Sequence, residues 1–258
     1  MTERRPRRVT SPIESTGRSA SPFPEVIAAD LPWLTVAEMR AVDEVMVNEL
    51  GIALEKMMEN AGRNLAVLVR HLLGGSAAGK DVLVLAGPGG NGGGGLVAAR
   101  HLLAAGARVR VIVGSERLTA VTLGQLATLE ALEVPVSRSP RDVGEADIVV
   151  DALLGYSQSG VPRGPIRALI DATAGRRVLS LDVPSGLELA KGVLHSPTVR
   201  AEATMTLAAP KHGLQHQPAV GDLYLADIGV SPAAFDRIGR DYSTPFGRSP
   251  LVRIHSTS

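Results

Sequence analysis

The chain has no cysteine in its 258 residues. Disulfides, thiolate nucleophiles and cysteine-held metals are therefore excluded. Aromatic residues make up only 3%, so a core must come from Val, Leu, Ile and Ala, as in buried parallel sheets. Lysine is rare as well: Lys56, Lys80, Lys191 and Lys211 are the only ones, and arginine carries the remaining basic charge. The formal net charge is +1, without the excess that a dedicated nucleic-acid binder carries. No apolar run approaches the roughly 18 residues of a membrane span. Arg4, Arg5, Arg7 and Arg8 cluster early, but no apolar stretch follows them as a secretory signal requires. The composition, 45% hydrophobic, is that of a globular protein. These features predict a cytoplasmic protein with no nucleic-acid or membrane partner. Residues 1–30 read as a flexible tail, with an organelle-targeting segment as the other reading. One domain over residues 31–239 and a flexible tail over 240–258 complete the division.

Ordered structure is expected from about Leu34. Thr35 and Glu38 have capping-box spacing, and Met39, Val42 and Met46 recur at helical spacing, predicting a helix to about Leu50. A second helix is predicted over residues 54–73, ending at Gly74-Gly75. Strands and helices then alternate. Strands are predicted at 82–86, 109–113, 148–150, 178–181, 203–208 and 223–226, with a short one near Val134. Helices are predicted at 96–105, 118–132 and 166–172. This alternation predicts an α/β fold with a mostly parallel sheet and helices on both faces.

In such sheets ligands bind beyond the carboxyl ends of the strands, where the unusual residues of this chain fall. The first core strand runs into a glycine-rich stretch, Gly87 to Gly95, broken only by Pro88 and Asn91. So much glycine is entropically costly and fits a backbone that must approach a ligand closely. With the N-terminus of the next helix it forms a phosphate site; a flexible loop without a ligand is the other reading. Gly87, Gly89 and Gly92 also spell the dinucleotide fingerprint, with Glu116 as the acidic partner, the pattern of an oxidoreductase. Asp151 and Asp182 each end a strand, facing the same edge, although such a residue can merely cap a turn. Gly155, Tyr156, Ser157, Gln158, Ser159, Gly160 and Val161 form a small polar loop able to lie along a ligand. Arg163 nearby is either a phosphate contact or a solvated charge. Ser185 could coordinate a cation. Lys211 follows a strand and reads either as a site residue or as a surface charge.

Several segments resemble, in order, the NAD(P)H-hydrate epimerases, the YjeF-type N-terminal domain. They are Met58-Glu59-Asn60-Ala61-Gly62, Leu85 to Gly89 with Gly95 to Arg100, Val150 to Gly155, Leu181 to Leu187, and Ala209-Pro210-Lys211. The resemblance covers about residues 34–230. It implies a Rossmann-like three-layer αβα sandwich, a homodimer, and epimerisation of hydrated NADH and NADPH. It implies a potassium ion on Asn91, Asp151 and Ser185. The nucleotide would be held by Gly90, Asn91, Gly92, Gly93 and Gly94, by Gly155 to Val161, and by Asp182. Asp182 would be the acid-base residue. The family loop usually reads Asn-Asn-Gly-Gly-Asp-Gly. Here Gly90 replaces an asparagine, Gly94 replaces the acidic residue, and Glu188 stands where an aspartate is usual. The loss of the carboxylate at Gly94 favours an alternative reading, a weakened nucleotide-binding or scaffold protein of the same fold.

Overall fold

The computed structural model describes residues 21–255; the parts of the expected tails at residues 1–20 and 256–258 lie outside the described residues. Along the first half of the chain run β1 (Glu25–Ile27), α1 (Val36–Glu44), α2 (Leu54–Leu72), β2 (Asp81–Ala86), α3 (Gly90–Ala104), β3 (Arg108–Val113), α4 (Ala120–Ala131), β4 (Val136–Ser137) and β5 (Ile148–Ala152). The second half holds α5 (Gly164–Asp171), β6 (Val178–Leu181), β7 (Leu187–Glu188), β8 (Val193–Leu194), β9 (Ala203–Leu207), β10 (Asp222–Ala226), α6 (Pro232–Arg237) and β11 (Leu251–His255).

Among the described residues nine strands form one sheet in the order β1-β11-β10-β9-β6-β5-β2-β3-β4, and β7 pairs with β8 in a separate hairpin. Among the described residues of the large sheet, only the β10–β11 pair is antiparallel. The two-residue period of β2 shows why the architecture has three layers. Val82, Val84 and Ala86 join the core beneath α2, α3 and α4, with Leu68, Leu96 and Leu126. Leu83 and Leu85 point the other way, into the core beneath α5 with Leu169 and Ile170. A strand covered on both faces must be apolar throughout, as this one is. The expected Rossmann-like αβα sandwich is the observed fold.

The glycine stretch departs from expectation. The helix begins at Gly90 and not near Leu96, so the glycines are its first turns. Their role is steric. A Cβ on Gly92 would lie 2.0 Å from the carbonyl oxygen of Gly87, and one on Gly95 would lie 2.5 Å from Cβ of Ala152. Bare backbone lets α3 settle on the ends of β2 and β5.

Other boundaries shift as well. The Thr35–Glu38 capping box is present, but the first helix passes at Val45–Glu49 into a wider π turn. Asp151 lies within β5 and not beyond it. Both terminal segments expected to be flexible enter the sheet: β1 pairs with β11, and Leu251 and Val252 are fully buried. The β7–β8 hairpin and α6 are additions to the predicted elements.

Candidate active site

From β2 the chain crosses through α3 to β3 on one side, and β5 returns on the other. That reversal opens a crevice at the carboxyl ends of β2 and β5. A cleft of about 320 Å³ lies there. Its walls come from α1 (Met39, Asp43), α2 (Met57, Met58, Ala61), the start of α3, the loop after β5, Asp182 and Lys211. Of the expected site residues, Gly90, Asn91, Gly94, Gly155, Tyr156, Ser157, Gln158, Asp182 and Lys211 line it. Gly92 and Gly93 are buried within α3, while Ser159, Gly160 and Val161 are exposed and outside the cleft wall.

Asp182 and Lys211 form the centre. Asp182 follows β6 in a left-handed conformation, φ 66°, which is rare outside glycine and held only where its surroundings enforce it. Its N–H donates to the carbonyl of Met205 at 2.7 Å. Its Oδ2 accepts the N–H of Tyr156 at 2.8 Å, and its Oδ1 accepts Lys211 Nζ at 2.7 Å. Nζ also donates to Thr206 Oγ1 at 3.1 Å and to the Leu207 carbonyl at 2.8 Å. Lys211 is 1% exposed, so the surface-charge reading gives way to a buried ion pair.

Asp151 does not share the cleft. It is 0% exposed and is not among the residues of the cleft wall. Its carboxylate accepts from Ser180 Oγ (2.8 Å), Ser185 Oγ (2.6 Å), the Ser185 N–H (2.9 Å) and the Leu153 N–H (3.2 Å). Burial pushes its pKa up, and these donors oppose the shift. Ser185 Oγ also accepts the Leu154 N–H at 3.0 Å. The amide of Asn91 donates to the carbonyls of Leu154 (2.9 Å) and Leu181 (3.2 Å). Asn91, Ser185 and Asp151 thus belong to one network through Leu154. Its oxygens are carboxylate, hydroxyl and amide, a hard donor set of the kind that suits an alkali or alkaline-earth cation. Every hydrogen-bond donor to Asp151 is neutral, which leaves a buried carboxylate without a cationic partner among the described residues.

The loop after β5 is stitched to the loop after β6. Gln158 Nε2 donates to the carbonyl of Leu187, and its Oε1 accepts the Gly186 N–H at 3.0 Å. Glu188 accepts the Gly160 N–H at 3.0 Å, Lys191 Nζ at 2.7 Å and His195 Nε2 at 2.8 Å. Led by Lys191, these partners pull its pKa from 4.5 to about 2. Gly160 is thus tied to Glu188 from outside the cleft wall.

Two residues of the oxidoreductase reading lie elsewhere. Glu116 is 84% exposed and paired with Arg138 at 3.6 Å, and Arg163 is exposed and outside the cleft wall. Conversely, sequence reasoning passed over Asp43. It accepts the Tyr156 hydroxyl at 2.6 Å. Burial raises its pKa, against the Tyr156 hydrogen bond and the charge of Lys211. Tyr156 is itself pushed up, chiefly by burial and then by the charge of Asp43. The usable signal was positional: Asp43 lies four residues after Met39, on the same face of α1.

Fold and cleft define an α/β protein of Rossmann-like architecture, with its cleft where the strand order reverses. The chain belongs to the family described as YjeF-related protein N-terminus, whose family model matches residues 54–213. It is 48% identical over 229 residues to an NAD(P)H-hydrate epimerase of Dehalogenimonas lykanthroporepellens, covering 86% of this chain and 92% of that one. The NAD(P)H-hydrate epimerase of Truepera radiovictrix is 37% identical, covering 86% and 100%. A bifunctional NAD(P)H-hydrate repair enzyme of Hyperthermus butylicus is 41% identical over 74% of this chain, which spans 37% of that longer protein. A crystal structure of the yeast protein ynu0 superposes with a TM-score of 0.73 at 26% identity, covering 86% of this chain and all of that one. Among the described residues no helix is long and apolar enough to cross a membrane.

Proposed function

We propose that the chain interconverts the R and S forms of hydrated NADH and NADPH, an isomerase of nicotinamide nucleotide repair. The observation that carries this reading is the buried Asp182–Lys211 pair opening onto the same cleft as the N-terminus of α3. The N–H of Gly93 is already bonded to the Gly89 carbonyl at 3.1 Å. The amides of Gly90, Asn91 and Gly92 precede it in the first turn, where a helix offers unpaired N–H groups and its positive dipole end to phosphate. The apolar wall of Met57, Met58 and Leu181 suits a ring.

The hydroxyl of the hydrated ring sits on a carbon next to nitrogen. Its loss and return need proton transfer and no redox step. Asp182, bonded to Lys211 Nζ at 2.7 Å, accepts a proton; such a group contributes typically about 10²–10⁴-fold. The loop of residues 155–161, tied down through Gln158 and Glu188, orients the substrate. Asn91, Asp151 and Ser185 are assigned to a potassium ion, which when bound supplies positive charge beside the buried carboxylate. A homodimer and a cytoplasmic setting complete the reading.

The test supplies the R epimer of hydrated NADPH and follows its conversion with an S-specific dehydratase. Loss of R faster than in buffer supports epimerase activity. One observation favours a second reading: Gly94 places no carboxylate on the cleft wall. Thermal stabilisation by nucleotide without turnover would identify a binding or scaffold protein instead.

A further inference from the structure

An epimerisation by loss and return of a hydroxyl needs proton traffic on both faces of the ring, and one carboxylate serves one face. The cleft holds two carboxyls, Asp182 and Asp43. Tyr156 spans them, its N–H on Asp182 Oδ2 at 2.8 Å and its hydroxyl on Asp43 Oδ2 at 2.6 Å. The two acids therefore stand apart by the extent of that side chain within one cleft. Asp43 Oδ1 has no hydrogen-bond partner among the described residues, so it is available to a ligand. Asp43 sits at the end of α1, just before the π turn at Val45–Glu49; such turns often mark functional sites.

We infer that Asp43 is the second proton-transfer residue of the reaction, acting on the ring face opposite Asp182. This rests on the epimerase reading above. On one face the carboxylic acid of Asp43 gives its proton to the ring hydroxyl. The carbon–oxygen bond breaks, water leaves, and the nitrogen lone pair closes a carbon–nitrogen double bond. Water then adds to the same carbon from the other face, the double-bond electrons return to nitrogen, and the surplus proton goes to the Asp182 carboxylate. Exchange with cleft water resets both acids, and the opposite direction exchanges their roles.

The two carboxyls have different neighbours. Asp182 is paired with an ammonium. Asp43 is desolvated, faced by Tyr156, Lys211 and Asp182, with Arg40 acting on Tyr156. Its burial raises its pKa, which favours the protonated form with Oδ2 accepting from tyrosine and Oδ1 free to donate.

The experiment measures kcat, KM and the pH profile for R-to-S conversion in wild type, Asp43→Asn and Tyr156→Phe. Binding of NADPH by calorimetry and thermal melts confirm that each variant is folded. Asp43→Asn is expected to lose at least about 100-fold in kcat while NADPH binding stays within a few-fold. Tyr156→Phe removes a hydrogen bond that favours ionised Asp43, so the alkaline limb of the kcat profile is expected to move to higher pH. A folded Asp43→Asn with wild-type kcat overturns the assignment, as does an alkaline limb unmoved by Tyr156→Phe. Wild type that binds NADPH but converts nothing overturns the epimerase reading itself, and this inference with it.

Discussion

The ammonium of Lys211 lies 2.7 Å from Oδ1 of Asp182, with the two side chains 1% and 5% exposed. At that burial the pair is scarcely screened by solvent, and each ion depends on the other for its solvation. Removing one partner leaves an uncompensated charge in the interior. Lys211→Met is therefore expected to destabilise the fold by about 3–5 kcal/mol, read by urea unfolding, and to reduce kcat through a misplaced Asp182. A variant as stable as wild type would show that the pair contributes nothing.

Packing sets a different prediction for α3. Replacing a helical glycine with alanine ordinarily gains about 0.5–1 kcal/mol. At Gly95 the new Cβ would meet Cβ of Ala152 at 2.5 Å, in the wall between helix and sheet. Overpacking of that kind costs about 1–3 kcal/mol, so Gly95→Ala is expected to lower Tm. At Gly94 the only close neighbour is the end of the Leu181 side chain, 3.0 Å away, and it can move. Gly94→Ala is expected to fold with Tm near wild type. Differential scanning of the two variants side by side checks the contrast.

The alternation of strands and helices was legible because buried parallel strands are apolar on every residue, as Val82 to Ala86 shows. The glycine stretch was legible as a special region but not as a helix. Propensity argues against helical glycine, and only the close approach of Ala152 and the Gly87 carbonyl explains it. Asp182 could be placed from its strand end. Asp151 looked the same in sequence, yet its side chain turns inward to Ser180 and Ser185, because direction depends on register and not on position at a strand end. Asp43 was hidden because its partner, Tyr156, lies 113 residues away. The strand at Leu251–His255 was hidden because its pairing with β10 and β1 is long-range, and polar neighbours masked a short apolar pattern.

Glu188 gives a pH signature. Its folded pKa, about 2, lies below the ordinary 4.5. Its ionised form therefore favours the fold above pH 4.5, and that contribution is lost as pH falls from 4.5 towards about 2. Glu188→Gln is expected to flatten the fall of Tm across that window. The same variant weakens the hold on Gly160, so KM at neutral pH is expected to rise more than kcat falls. An unchanged Tm profile would contradict the anchor.

The potassium assignment is checked by exchange. Protein moved from potassium into tetramethylammonium buffer is expected to lose thermal stability and turnover, and to regain both on titration with potassium chloride. Asp151→Asn is expected to abolish the potassium-specific part of the response. Equal behaviour in both salts would remove the ion from the site.

Proton NMR of R-hydrated NADPH, following the hydrogen on the carbon that bears the hydroxyl, tests the role of the cleft most directly. Wild type is expected to bring R and S to equilibrium well before buffer does. Asp182→Asn, folded and still binding NADPH, is expected to be slower by about 10²–10⁴-fold. Equal rates for the two proteins would contradict the assignment of Asp182 to the chemistry.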